Sequence, residues 1–189
     1  MKTFLFLLCV YFFTLCGAAE EFVIRYQALT SGGIFLVETA RGARVGTVIR
    51  EVQEGTVLYS YLDIGQQLIA SAKTEKHEAN KVVYLVDQHG VDIGSFSALI
   101  YNLYPTEYKV FAPRQKSIAK GVMNWLGNSF TLIDPDLAKH YLVTFLRPRF
   151  KLFNDYWHFQ IHEQGAIDFR LLCIMGTFQT ACDLIFDEL

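Results

Sequence analysis

The chain has 189 residues, a formal net charge of −2, and 52% hydrophobic residues. This length and apolar content support one domain with a sizeable core and exclude a disordered or fibrous protein. The near-neutral charge argues against a general nucleic-acid binder, which needs an excess of Lys and Arg. Sixteen Phe and ten Tyr against four Pro favour strands, because aromatic side chains suit a half-buried sheet.

The first nineteen residues have the organisation of a secretory signal peptide. Lys2 supplies the positive start, residues 3–15 the apolar segment, and residues 17–19 the small residues before Glu20. The apolar segment falls short of the ~20 residues that span a bilayer, which favours a cleaved signal over an anchor. We therefore expect a secreted or extracytoplasmic protein. The ending at residues 186–189, Phe-Asp-Glu-Leu, also resembles an endoplasmic reticulum retrieval signal, so the lumen of that organelle is the alternative.

From Phe22 onward the sequence repeats an apolar strand, a polar turn and a second strand, which predicts successive β-hairpins. The predicted units are residues 34–52, 56–72, 82–100, 107–125, 130–146 and 157–167. The first apolar residue after each turn recurs every 23 to 26 residues, at Val45, Leu68, Ile93, Ile118, Tyr141 and Ile167. This period is typical of a hairpin repeat. Six hairpins give about twelve antiparallel strands.

The C-terminal stretch at residues 169–187 is apolar on every side, so a helix there must be surrounded by protein or lipid. Twelve strands ~4.8 Å apart and tilted by ~40° close into a barrel roughly 24 Å across. A helix with its side chains needs ~10–12 Å, and inward side chains fill the rest. We therefore predict a mainly β, single-domain fold over residues 20–189: a closed antiparallel barrel of about twelve strands around a buried hydrophobic C-terminal helix. Gln179 and Asp183 would need hydrogen-bond partners inside such a barrel.

Residues 153–188 carry a recognisable pattern. A Phe-x-Asp start at Phe153 leads into a Phe-x-Ile strand, then an apolar-Asp-apolar-basic junction at residues 167–170 and an Asp-apolar-apolar-Phe ending at residues 183–186. In this pattern the chain resembles the tubby-like C-terminal barrel superfamily, which includes the phospholipid scramblases and the LURP-one-related proteins. The resemblance implies a twelve-stranded barrel closed around a hydrophobic helix, and a function connected with membrane lipids.

The same resemblance implies weak calcium candidates. In scramblases the segment before the helix is acidic and proposed to bind Ca²⁺, and Asp155, Glu163 and Asp168 are the acidic residues that remain here. Trp157 stands where a further acidic residue would be expected, and Ca²⁺ takes six to eight oxygen ligands. We therefore predict no metal site and no other cofactor.

The densest basic group in the chain predicts a lipid-facing surface. Aromatic residues interleave with it at Phe111, Trp125, Phe150 and Phe153. Such a mixture suits an anionic headgroup surface, where each Lys or Arg contributes ~1 kcal/mol. The alternative is a set of scattered, solvated charges on the barrel rim. The candidate lipid-binding residues are Arg114, Lys116, Lys120, Arg147, Arg149 and Lys151.

No nucleophile elbow, zinc-protease motif or phosphate-binding loop occurs in the sequence, so an enzyme is not expected. The expectation is a non-enzymatic, exported protein that interacts with anionic phospholipid headgroups and not with nucleic acid. Its protein partners cannot be read from the sequence. The alternatives are phospholipid scrambling with the C-terminal helix inserted in the bilayer, and a lipocalin-like carrier of a small molecule.

Overall fold

The computed structural model describes residues 19–27, 32–75, 80–101, 104–137, 139–148 and 156–187. Within them, twelve strands form one closed barrel, and every strand pairs antiparallel with its neighbour in sequence. The strands are β1 (Glu20–Gln27), β2 (Gly32–Thr39), β3 (Arg44–Gln53), β4 (Thr56–Asp63), β5 (Leu68–Glu75), β6 (Asn80–Asp87), β7 (Asp92–Tyr101), β8 (Tyr104–Phe111), β9 (Ser117–Val122), β10 (Ser129–Ile133), β11 (Tyr141–Leu146) and β12 (Tyr156–Ile161). One helix, α1 (Phe169–Asp187), follows them.

The predicted fold class is confirmed, with two corrections to the strands. The twelfth strand is β1 at the N-terminal end, where Ile24 pairs with Trp157 and closes the barrel. The sequence placed it instead at Ile167, which precedes the helix and lies in no strand. The strand predicted to run to Trp125 ends at Val122. The predicted signal peptide lies outside the described residues except for Ala19, and so does the end of the retrieval-like sequence at residues 188–189.

Alternation along each strand places one face inside the barrel. Phe35, Val48, Tyr61 and Ala70 pair in a row across β2 to β5, and all four are buried. A strand places successive side chains on opposite faces, so one register fixes which residues enter the core. The inner faces of all twelve strands therefore converge on α1.

Helix α1 fills the barrel. Every residue from 171 to 181 is buried, although the stretch includes Thr177, Gln179 and Thr180. Gln179 accepts a hydrogen bond from the hydroxyl of Tyr108 on the wall, which confirms that it finds a partner inside the barrel. The helix passes close to β1 at Gly176, where an added Cβ would collide with the buried side chain of Ile24. The side chain of Asp183 lies outside the described set.

The strand order gives the barrel two ends. The entry rim consists of the connections at residues 40–43, 64–67, 88–91, 112–116, 134–140 and 162–168, and α1 begins there. The exit rim is the opposite end, where β1, β3, β5, β7, β9 and β11 end. Its fully described connections are residues 54–55 and 123–128, and α1 runs toward it. In the part of the chain that is described, no helix has the length and apolar character needed to cross a bilayer.

Candidate functional site

The predicted basic group is divided between the two rims. Arg114 and Lys116 are exposed on the entry rim, in and beside the short 3-10 turn Pro113–Gln115. Arg147 follows β11 and therefore lies on the exit rim. Arg149 and Lys151 continue the same connection but lie outside the described residues. The six candidates therefore do not form one surface.

Arg147 itself faces the interior. It continues the alternation of Val143 and Phe145, both buried, and only 9% of its own surface is exposed. Its backbone N–H donates to the carbonyl of Asn128 at 2.8 Å, which joins the start of this connection to the β9–β10 turn. The side chain of Arg147 is therefore poorly placed to meet a headgroup in solvent, although the segment that follows begins beside that turn.

The β9–β10 turn holds a tryptophan out into solvent. Asn124 fixes the turn, because its side-chain Oδ1 accepts from the backbone N–H of Asn128 at 3.0 Å and of Ser129 at 3.2 Å. Its Nδ2 also donates to Asn128 Oδ1 at 2.7 Å. At the tip, Trp125 is 91% exposed. Tryptophan is rarely so exposed, since its large ring gains most from burial.

Further apolar side chains surround this tip on neighbouring strands. Val122 on β9 is 69% exposed, and Leu126 in the turn is 47% exposed. Leu99 on β7 and Leu146 on β11 are exposed as well. These strands alternate with β8 and β10 in the wall. Single exposed apolar residues are common, but such a group at one rim marks an interaction surface. We call Leu99, Val122, Trp125, Leu126 and Leu146 the Trp125 patch.

Two lysines lie behind the patch on the outer wall. Lys120, a predicted site residue, pairs directly with Lys109 across β8 and β9, and both are exposed. Like charges directly opposite each other are destabilising in a sheet, so their pairing suggests a role other than stability. Glu107, which pairs with Val122, bridges to Lys109 at 3.2 Å. Sequence reasoning missed Lys109, although folding the predicted hairpin at residues 114–116 would have placed it opposite Lys120.

The weak calcium candidates have other partners. Asp168 caps α1 by accepting from the backbone N–H of Arg170 at 2.9 Å, and it receives a two-point contact from that guanidinium. Burial raises the pKa of Asp168, but the hydrogen bonds from Arg170 outweigh it and hold the pKa below its usual value. Glu163 bonds His140, and Asp155 lies outside the described residues. No three potential metal ligands gather in the described part of the chain.

No protein-family model matches the chain, and no curated protein sequence matches it significantly. It is similar to a protein from Arabidopsis thaliana whose X-ray structure is known. The match covers 89% of this chain and 93% of that chain, with a TM-score of 0.55 and 12% identity. Sequence identity this low shows a shared fold alone. That fold is compatible with the tubby-like resemblance, and membership of the superfamily stays a prediction.

Proposed function

We propose that the protein is an exported, non-enzymatic barrel that binds anionic membrane surfaces peripherally through the exit rim around Trp125. The observation that carries the proposal is Trp125 itself, 91% exposed at the tip of a turn that Asn124 fixes by hydrogen bonds. A rigid presentation lowers the cost of binding, because little side-chain and loop freedom remains to be lost.

The order of residues on the outer wall fits the layers of a membrane surface. Tryptophan favours the boundary between headgroups and acyl chains, where the rest of the Trp125 patch would also lose water. Lys120 lies two residues from Val122 along β9, which is ~6.6 Å at ~3.3 Å per residue. With the tip at this boundary, Lys109 and Lys120 would lie at headgroup depth. Each lysine near an anionic surface contributes ~1 kcal/mol.

The proposal keeps α1 inside the barrel. Scramblase-like translocation with α1 in the bilayer would require residues 171–181, all buried, to leave the core. A lipocalin-like carrier would need interior space that α1 occupies. Peripheral binding needs neither change, and the tubby-like resemblance supports a lipid-related function of this kind. Export, and the lumen of the endoplasmic reticulum as its alternative, rest on the terminal sequences.

The test is co-sedimentation with vesicles of phosphatidylcholine containing phosphatidylserine. The full chain should bind, and binding should weaken as salt rises because exposed charges are screened. Trp125→Ala should weaken binding by roughly tenfold or more, since burying a large apolar side chain is worth about 1.5–3 kcal/mol. Tyr141→Ala is the matched control, because Tyr141 is 56% exposed at the entry-rim end of β11.

Two results would count against the proposal. One is an equal loss in the Trp125 and Tyr141 variants, which would point to general surface hydrophobicity. The other is binding that neither substitution nor salt affects. If vesicles do not bind but the Trp125 patch captures a second copy of the chain, size-exclusion chromatography of the two variants will reveal a docking surface for protein instead.

A further inference from the structure

Three buried polar atoms have no hydrogen-bond partner among the described residues: Arg50 Nε, Thr74 Oγ1 and Thr177 Oγ1. Buried polar groups in folded proteins are nearly always hydrogen-bonded, and leaving one unpaired is costly. Thr74 is 4% exposed and Thr177 is fully buried, so bulk water does not satisfy their hydroxyl groups. These three atoms therefore call for a common explanation.

Arg50 and Thr74 line the same part of the inner wall. Arg50 pairs with Tyr59 across β3 and β4, and Tyr59 pairs with Ala72 across β4 and β5. Thr74 is the next inward residue of β5 beyond Ala72, toward the exit rim. On β4, the strand between β3 and β5, the inward residues at this level are Tyr59 and Val57.

Thr177 faces this wall from the helix. Cys173 contacts Tyr61 through its thiol, and Thr177 lies one turn further along the same face of α1. That turn advances ~6 Å toward the exit rim, and the two-residue step from Tyr61 to Tyr59 advances ~6.6 Å in the same direction. Thr177 is therefore level with Tyr59, so all three unpartnered atoms belong to the same region of the interface between β3–β5 and α1.

Arg50 brings a positive charge to this region. Arg50 forms a side-chain hydrogen bond with Tyr59, and burial raises the pKa of the Tyr59 hydroxyl. Among the described residues, the ion pairs involve other side chains and none includes Arg50. Arg50 is half-buried and its Nε is fully buried, so part of its charge is withdrawn from water without a counter-ion, and a bound anion would offset that cost.

We propose that this interior region binds a small oxyanion of the phosphate type. Arg50 Nε and the hydroxyls of Thr74 and Thr177 supply three donors for its oxygens, and charge-assisted hydrogen bonds from guanidinium groups favour such anions. The shared chemistry is a phosphate group, free or carried by a lipid headgroup near the exit rim. This site does not depend on membrane binding through Trp125.

The primary experiment titrates inorganic phosphate into the full chain by calorimetry, against chloride at equal ionic strength. Wild type should bind phosphate saturably, and Arg50→Met should abolish binding. Thr74→Val and Thr177→Val keep nearly the same shape but lose a donor, so each should weaken binding by about fivefold or more. Thr180→Val is the control, because the hydroxyl of Thr180 already donates to the Gly176 carbonyl at 2.8 Å.

Absence of saturable phosphate binding by wild type would overturn the proposal. Thr74→Val and Thr177→Val variants that bind phosphate like wild type would also overturn it, and so would variants that only gain thermal stability. Either result would mean that the two hydroxyl groups do not contact a bound anion. The titration contains no lipid, so its failure is separate from failure of the vesicle experiment.

A second arm identifies the source of the phosphate group. Vesicles with and without phosphatidic acid are compared for wild type and Arg50→Met. If the headgroup enters the site, Arg50→Met will lose only the extra binding that phosphatidic acid confers, and soluble phosphate will compete with it. If free phosphate is the ligand, both proteins will bind the two vesicle types equally while only wild type binds phosphate.

Discussion

The two rims of the barrel close their turns in the same way but differ in what the turns expose. On the entry rim, Asp63, Asp87 and Asp134 each accept hydrogen bonds from backbone N–H groups of their own turns. On the exit rim, Asn124 does the same for its turn. The entry-rim carboxylates leave a charged surface, whereas the exit-rim turn presents Trp125.

The two rims share the hydrogen bonds that stabilise their turns but differ in the side chains that the turns expose. Exposed apolar residues also occur on the entry rim, at Ile64, Leu68, Val91, Leu137 and Tyr141, and they lie in or beside the turns that the carboxylates close. On the exit rim they extend across β7 to β11 as the Trp125 patch. A short side chain that accepts hydrogen bonds therefore begins turns at both rims. The residues at the tips of the turns determine what each rim exposes.

Charge reversal should distinguish the rims most strongly. Arg149→Glu with Lys151→Glu, in the segment of sequence that follows β11, should weaken vesicle binding by roughly 30-fold or more, because each basic residue contributes ~1 kcal/mol at an anionic surface. Arg114→Glu with Lys116→Glu on the entry rim is the matched control and should bind nearly like wild type at moderate salt. Vesicle affinity measures both. Equal losses would mean that net charge, not the exit rim, governs binding.

Substitution of Asp168, on the entry rim, should lower the free energy of unfolding. Asp168→Ala removes the N-cap of α1, which typically costs about 1–2 kcal/mol, and it leaves Arg170 without its carboxylate partner. Asp87→Ala is the control, since Asp87 closes a turn of the same rim without capping the helix. Urea unfolding measures the free-energy difference, and vesicle binding of the folded fraction should not change.

The same substitution has a defined pH dependence. The folded-state pKa of Asp168 is lowered, so its ionised form stabilises the fold above the ordinary carboxyl pKa of about 3.9. That contribution is lost as the pH falls through the lowered pKa. The stability gap between wild type and Asp168→Ala should therefore narrow in acid. A gap that is constant from neutral pH into acid would show that Asp168 does not act through its charge.

Much of the barrel was predictable because local signals agree. Turn glycines and alternation along the strands predicted the hairpins, and the length of the apolar tail predicted the central helix. The sequence did not predict strand β1, because its partner β12 lies at the other end of the chain and no hairpin connects the two. Ile167 was taken for the start of a strand after the turn at Gly165, but Asp168 caps a helix one residue later.

The candidate site was predictable only in part. Lys120 and Trp125 were both noticed, but grouping Arg114 with Arg147 ignored the count of strands between them. Arg114 follows the eighth strand and Arg147 the eleventh, and connections after even- and odd-numbered strands lie at opposite ends of a barrel with antiparallel neighbours. The proposed anion site near Arg50 could not be predicted, because it depends on how α1 is rotated within the barrel.

The smallest expected effect concerns His140. Its Nε2 contacts Glu163 Oε2, which joins two turns of the entry rim, and this hydrogen bond raises the pKa of His140. Because the folded-state pKa lies above the unfolded value of about 6.5, the contribution is fully present below that pH and is lost as pH rises through the raised pKa. His140→Gln should therefore destabilise the fold slightly at about pH 5.5 and less at about pH 8.5.

His89→Gln, in another entry-rim turn, is the control for a general histidine effect. Urea unfolding at the two pH values tests this. A difference between wild type and His140→Gln that does not vary with pH would show that the contact with Glu163 does not involve a charged imidazole. Vesicle binding should not respond, because the pair lies on the rim opposite Trp125.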